Sequence, residues 1–194
     1  MNEFNYYVID RASDEAYPLI APQDDSRHTM LYSMTKTKID TPERVQYKFC
    51  DPIPRKPVIG DYFSEPESVV SRKIADVLEP MHIDGIQLIP AEIKTNTGKI
   101  LANYFYIHIY NHIKAIDRNK SEYEVDDYDP DFFIWIDSFE LDREVLAKIP
   151  REKRLIFKLR ESSTTHLYHE SIVQAIKAVN PKGVSFTKVE DWYL

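Results

Sequence analysis

Hydrophobic and polar side chains alternate over several short stretches of the chain, which is the pattern of half-buried β-strands. Residues 45–49 and 155–159 alternate in this way, and residues 4–9 are rich in aromatic and β-branched side chains. Strand-like residues 85–93 and 103–116 flank Asn96-Thr97-Gly98, a sequence that favours a hairpin turn. The uninterrupted hydrophobic run 132–136 predicts a strand that is buried on both faces.

Helical spacing of hydrophobic residues replaces this alternation between residues 70 and 81. Ser64 is the predicted N-cap of this helix, with Pro66 in the first turn and Glu67 closing a capping box. Residues 141–149 and 172–179 predict further helices. Because the strands follow one another as hairpins more often than they alternate with helices, we predict an α+β fold. We expect a mixed or largely antiparallel sheet with two to three helices packed against it.

Prolines at 52, 54, 57 and 66 interrupt the chain between its first strands and the first long helical pattern. Proline lacks a backbone donor and favours extended backbone, so such a stretch is typical of a linker. We predict that residues 1–59 form an N-terminal strand-containing segment with a Pro-rich linker. Residues 60–194 would then form the main α+β domain, and the two parts together would make one compact unit.

The composition narrows the classes of function. The chain carries 25 basic and 32 acidic residues, for a net charge of −7, and has four glycines and one cysteine. No two glycines lie close together, so a phosphate-binding loop is excluded, and an acidic chain is poorly suited to direct nucleic-acid binding. The start of the chain lacks a signal-peptide pattern, and its longest uncharged stretch is shorter than the roughly 20 residues that span a membrane. We expect a cytoplasmic protein.

His108 with His112, and Asp84 with Glu92 and Lys94, have spacings found in metal or catalytic sites. His108 and His112 have the spacing of zinc ligands on a helix, but the alternation around them predicts a strand, which would hold them about 13 Å apart. Asp84, followed by Glu92 and Lys94, has the order of a metal-dependent nuclease, or is a polar strand end. We expect no catalytic residue, metal or cofactor, and keep the nuclease as an alternative hypothesis.

The most unusual segment is acidic. Residues 122–131 contain six carboxylates and no base, interleaved with Tyr123 and Tyr128. Concentrated charge steers a partner of opposite charge, and exposed tyrosines anchor protein interfaces. This composition favours contact with a basic protein, and the alternative is a solvated loop between strands.

The order of several motifs from residue 60 onward resembles the immunity protein eleven-type domain family of bacterial polymorphic toxin systems. The resemblance covers roughly residues 60–192. The segments that carry it are Gly60-Asp61-Tyr62-Phe63-Ser64, Gly85-Ile86-Gln87-Leu88-Ile89-Pro90, Tyr110-Asn111, Ile116-Asp117, Lys120-Ser121-Glu122-Tyr123, Ile156-Phe157-Lys158-Leu159 and Gly183-Val184-Ser185-Phe186.

The resemblance implies a cytoplasmic antidote that binds and neutralises a cognate toxin domain by stoichiometric occlusion. A basic toxin, such as one that acts on nucleic acid, would suit the acidic segment, whereas a pore former or another enzyme would use a different surface. A non-catalytic adaptor of a secretion system is a further alternative, and the oligomeric state stays open. Asn111, Asp117 and Ser121 have an alternative role in shaping a strand end and a turn. The predicted partner-binding residues are Asn111, Asp117, Ser121, Glu122, Tyr123, Glu124, Asp126, Asp127 and Tyr128.

Overall fold

The computed structural model describes residues 3–23, 27–162 and 164–193. Within these ranges the chain forms thirteen strands, four α-helices and three short 3-10 helices. The α-helices are α1 (Arg27–Met34), α2 (Arg72–Leu78), α3 (Arg143–Ala147) and α4 (Glu170–Ala178). The strands are β1 (Tyr6–Arg11), β2 (Leu19–Pro22), β3 (Val45–Cys50), β4 (Tyr62–Phe63), β5 (Val69–Ser71), β6 (Ile86–Lys94), β7 (Ile100–Ile109), β8 (His112–Ile113), β9 (Glu122–Val125), β10 (Phe133–Ser138), β11 (Ile156–Leu159), β12 (His166–His169) and β13 (Val184–Lys188).

The strands form two large sheets and one small one. The five-stranded sheet has the order β13-β1-β12-β11-β8, and the six-stranded sheet has the order β2-β3-β6-β7-β5-β4. β9 and β10 pair separately. β3 runs parallel to β6 and β8 parallel to β11, whereas adjacent strands elsewhere in the described sheets are antiparallel. The prediction of an α+β fold with mixed sheets is confirmed.

The first strand lies inside the five-stranded sheet and is buried on both faces. β1 pairs with β12 on one side and with β13 on the other. Tyr7 and Ile9 pack in the hydrophobic core that includes α2 and α4, whereas Tyr6 and Val8 pack in the core beneath β9 and β10. Strands from before and after residue 60 therefore share both large sheets, and the division at that residue stays a prediction.

The N-cap of α2 is Ser71, seven residues after the predicted N-cap Ser64, and α2 begins at Arg72, so the predicted capping box is wrong. Val69 and Val70 are β-branched and completely buried, and they pair with Tyr106 and Phe105 of β7. Burial against a neighbouring strand outweighs the weaker local preference for a helix. The Ser64 hydroxyl instead accepts a hydrogen bond from the Arg11 backbone N–H at 3.3 Å.

The hairpin predicted at residues 96–98 is confirmed. β6 and β7 pair along most of their length, and Gly98 adopts a φ of 82° at the turn. A positive φ costs glycine little, so the turn is compatible with the sequence. In the described part of the chain, no α-helix is long and apolar enough to cross a membrane.

Candidate protein-binding surface

The predicted acidic segment forms one strand and the turn of a two-stranded hairpin. β9 pairs with β10, with Val125 opposite Phe133 and Tyr123 opposite Ile136. The Asp126 carboxylate shapes the turn, since it accepts the backbone N–H of Tyr128 at 2.8 Å and of Asp129 at 2.9 Å. Aspartate commonly stabilises turns in this way. We call residues 122–138 the acidic hairpin.

β10 presents two large hydrophobic side chains to solvent. Phe133 and Ile136 are buried, but Ile134 is 53% exposed and Trp135 is 47% exposed. The prediction that residues 132–136 are buried on both faces is therefore wrong, because the small β9–β10 sheet covers the core with one face only. The register shifts between Phe133 and Trp135, and such a bulge places consecutive side chains on the same face.

Sequence reasoning missed Ile134 and Trp135 as surface residues. An uninterrupted hydrophobic run carries no alternation from which an outer face can be recognised. The available signal was on the partner strand, where Glu122 and Glu124 alternate with Tyr123 and Val125. That alternation indicates a sheet with one solvated face.

The two tyrosines of the hairpin have different environments. Tyr123 stacks on Phe133 with the ring centroids 4.1 Å apart and the planes within 5° of parallel. The Arg118 guanidinium lies 5.0 Å from the centre of the Phe133 ring. Tyr128, at the turn, is 97% exposed. Tyr123 therefore supports the hairpin from inside, and Tyr128 is available to a partner.

The carboxylates of the hairpin are only partly compensated. Asp131 pairs with Lys114 at 2.6 Å and with Arg118 at 3.2 Å, and the hydrogen bond from Lys114 lowers the pKa of Asp131. Lys114 and Arg118 therefore offset two of the six negative charges. Within the described chain, Glu122, Glu124 and Asp127 take part in no ion pair. With these two cations counted, residues 122–131 keep a net charge of −4 beside the exposed side chains of Tyr128 and Trp135.

Asp117 and Ser121 hold the entry to the hairpin. Ser121 Oγ donates to the Asp117 carbonyl at 2.7 Å and accepts the Glu140 N–H at 3.1 Å. Asp117 also pairs with Lys120 at 2.9 Å, and the hydrogen bond from Lys120 lowers the pKa of Asp117. These contacts are the turn-shaping role that the sequence left open, and they set the position of β9.

Asn111 lies outside the hairpin and ties two loops together. Its Nδ2 donates to the backbone carbonyls of Lys153 at 2.8 Å and Ile156 at 3.2 Å. Its side chain also packs against Gly85, where an added Cβ would lie 2.3 Å from the Cβ of Asn111. Gly85 has a φ of 79°, so glycine is required there on both counts. The structure therefore brings together the predicted surface residues except Asn111.

The candidate nuclease residues lie at opposite ends of one strand. Asp84 precedes β6, whereas Glu92 and Lys94 are near its end, and six residues of strand rise alone span about 20 Å. Gln46 Nε2 donates to the Glu92 carboxylate at 3.1 Å. Asp84 and Glu92 therefore cannot share one metal ion, which is a correction to the alternative hypothesis.

Histidine pairs are also separated by the fold. His108 lies in β7 and His112 in β8, so the helical spacing of zinc ligands is not realised. His169 is the N-cap of α4, and its side chain accepts the Ser171 N–H, so its ring is engaged in capping the helix. Among the residues that the structure describes, no group of three His, Cys, Asp or Glu side chains could hold a metal ion.

Comparison with protein-family models gives a match along nearly the whole length of the chain. A family model described as "Immunity protein family (Imm11)" matches residues 6–191. The chain belongs to this immunity protein family. The match to the Imm11 family begins at β1, so it includes the first strands as well as the motifs after residue 60. A comparison with curated proteins found no match.

Proposed function

We propose that this chain is a cytoplasmic immunity protein that binds a cognate toxin domain and neutralises it by one-to-one occlusion. The acidic hairpin is the proposed contact surface. Membership of an immunity protein family supports the role. The observation that carries the choice of surface is the exposure of Ile134 and Trp135 on a strand paired with Glu122 and Glu124.

The hairpin has the two components of a strong interface. Tryptophan and tyrosine dominate the binding energy of protein complexes when they enter a pocket of the partner, and Trp135 and Tyr128 are available for this. The surrounding carboxylates would steer a basic partner and select against an acidic one. The proposed toxin therefore presents an apolar pocket with lysine or arginine around it.

A toxin that acts on nucleic acid has a basic surface by necessity, since it must bind phosphates. The carboxylates at 122, 124 and 127 would occupy that surface in place of phosphates. Occlusion requires no chemistry from the immunity protein, so tight binding would be sufficient for protection.

The test is titration calorimetry with the protein encoded next to this chain, combined with co-expression in a sensitive host. We expect one-to-one binding and restored growth. Trp135→Ala should weaken binding by about 100-fold, which corresponds to the 2 kcal/mol or more of an interface hot spot. Ile134→Ala is compared with Ile100→Ala, because Ile100 is similarly exposed, at 44%, on β7 outside the hairpin.

A second set of variants tests the charge. A quadruple variant that neutralises Glu122, Glu124, Asp126 and Asp127 should bind the toxin more weakly. Its affinity should also depend less on salt, because the variant removes the electrostatic attraction that salt screens. Asp126→Asn is chosen at this position because it keeps an oxygen that can accept the hydrogen bonds of the turn. The quadruple variant is Glu122→Gln, Glu124→Gln, Asp126→Asn and Asp127→Asn, and its control removes four exposed charges elsewhere: Asp14→Asn, Glu15→Gln, Asp40→Asn and Asp51→Asn.

Three results would contradict the proposal. Unchanged affinity in Trp135→Ala and in the quadruple variant would exclude the hairpin as the contact surface. Binding without restored growth would instead favour an adaptor of a secretion system. Neither binding nor restored growth, with a folded and toxic neighbour, would exclude that protein as the target.

A further inference from the structure

A second feature, separate from the acidic hairpin, is a cleft of about 620 Å³ beside the central strand of the five-stranded sheet. Its walls come from β1, β2, residues 64–67, residues 164–166 and Trp192. The volume is that of a small-molecule binding site. We call it the sheet cleft.

A buried polar group forms part of the floor of the sheet cleft. His166 is 8% exposed, and its Nδ1 is 3.0 Å from the Ser68 hydroxyl. Its Nε2 lies 3.9 Å from Glu67 Oε2, which is too far for a hydrogen bond. Within the described chain, Nε2 has no other polar partner. This ring nitrogen therefore makes no hydrogen bond within the described residues, and it lies beside a carboxylate that lines the cleft.

Asp10 is a second polar group without a partner. It is half-buried in the cleft wall, and in the described chain no side chain or backbone N–H pairs with its carboxylate. Burial raises the pKa of Asp10, and the charge of nearby Glu65 raises it further. A cation bound in the cleft would stabilise the ionised carboxylate of Asp10 and so oppose both effects on its pKa.

The charges of the cleft do not balance. Asp10, Glu65 and Glu67 line it, and Lys158, which lies behind Glu67 with its Nζ 3.3 Å from the Glu67 carboxylate, compensates one of these charges. Three carboxylates and one ammonium leave a net charge of −2. Other parts of the wall are apolar, formed by Val8, Ile20 and Trp192. The occupant that fits is a cation on a hydrocarbon chain, since an inorganic ion would leave this wall without contacts.

We infer that the sheet cleft binds an alkylguanidinium group, supplied as the arginine side chain of a protein partner or as a free guanidinium compound. The planar group offers several N–H donors in a fixed geometry that suits two carboxylates at once. With the proton of His166 on Nδ1, its Nε2 accepts a further N–H beside Glu67. The alkyl chain lies along Val8 and Ile20, and the indole of Trp192 faces the cation.

The probe is n-butylguanidinium, and its neutral counterpart is n-butylurea, which has the same shape. The chain has two tryptophans, so Trp135→Phe leaves Trp192 as the single indole reporter in the cleft. We expect the fluorescence of Trp192 to change and to reach saturation as n-butylguanidinium is added. n-Butylurea at the same ionic strength should cause no change. Calorimetry on the unsubstituted chain should give the same affinity.

Asp10→Asn should weaken this binding by about tenfold, the usual effect of losing one partner of a charge-assisted hydrogen bond. Asp40→Asn, which removes an exposed carboxylate elsewhere, should leave it unchanged. Glu65→Gln, at an exposed position, provides a second variant of the cleft should Asp10→Asn not fold. Equal responses to the two probes, or the same affinity in all three variants, would overturn the inference.

Competition identifies the source of the guanidinium. If n-butylguanidinium displaces the bound toxin, the cleft takes an arginine of the toxin. If the probe binds without affecting the toxin, the cleft takes a free compound. Because the probe is tested on the isolated chain, failure of this inference leaves the proposed immunity function intact.

Discussion

The acidic hairpin and the cluster of Glu67, Lys158 and His166 beside the sheet cleft both concentrate ionisable side chains, but they differ in what surrounds each charge. In the hairpin, Glu122, Glu124 and Asp127 are in solvent. In the cluster, Lys158 is 2% exposed and pairs with Glu67, which is 9% exposed. Water compensates the charges of the first group, whereas the buried charges of Lys158 and Glu67 compensate each other.

The difference decides which region can carry function at low structural cost. Charges in water interact weakly with the rest of the fold, so the hairpin can change its charge while the core stays intact. Buried charges must be matched one to one, because an unpaired ion loses its hydration without replacement. The comparison yields three predictions, from the largest effect to the smallest.

Lys158→Met should break the buried pair and leave Glu67 without its cation. We expect the free energy of unfolding to fall by about 3–5 kcal/mol, measured by urea denaturation. The double variant Lys158→Met/Glu67→Gln should recover part of this loss, because no charge is then left unpaired.

The matched controls are Lys94→Met, which replaces an exposed lysine, and Glu122→Gln/Glu124→Gln in the hairpin. Both should stay within about 0.5 kcal/mol of the parent chain. A hairpin variant as destabilised as Lys158→Met would remove the distinction between the two regions.

Asn111→Ala tests the predicted surface residue that the structure places outside the hairpin. It loses two hydrogen bonds to backbone carbonyls, those of Lys153 and Ile156, so we expect about 1–3 kcal/mol of destabilisation. Its affinity for the toxin, measured below the unfolding transition, should equal that of the parent chain. Reduced affinity of the folded variant for the toxin would contradict this prediction and would indicate that Asn111 is part of the contact surface.

The smallest expected effect concerns pH. Burial, reinforced by the charges of Lys158 and His112, lowers the pKa of His166 well below its usual range. The unfolded chain binds a proton at this histidine near pH 6.5 and the folded chain does not, so the contribution of His166 to stability is present above that pH and is lost as the pH falls.

His166→Gln should therefore make stability less dependent on pH between 7 and 5.5. The expected difference in slope is at most one proton, or about 1.4 kcal/mol per pH unit. Glu67 and Lys158 face the same histidine in both chains, so comparison of the variant with its parent isolates His166. Urea denaturation at several pH values measures it, and identical slopes would contradict the prediction.

Local patterns predicted the elements whose neighbours agree with them. The β6–β7 hairpin follows from the strand-like residues on both sides of Asn96-Thr97-Gly98, and α4 follows from the helical spacing within residues 172–179. The helix predicted from Ser64 failed because Val69 and Val70 find partners in β7, which is distant in sequence. Short-range spacing carries no information about such a partner.

The same limit applies to the two candidate sites. The acidic hairpin was recognisable because six carboxylates in ten residues are a property of composition. The exposure of Ile134 and Trp135 could not be recognised from the sequence. A bulge in the pairing of β10 with β9 decides which way those side chains point. The sheet cleft combines Asp10, Glu67, His166 and Trp192, which are far apart along the chain.

By itself, the sequence determined the charge of the chain, its α+β character and the location of the acidic hairpin, since these depend on composition and on the spacing of neighbouring residues. The tertiary structure decided which hydrophobic side chains remain exposed, which cation compensates Glu67, and which polar atoms of the sheet cleft are left without partners. These properties depend on contacts between strands distant in sequence, where burial sets the energetic value of each polar group.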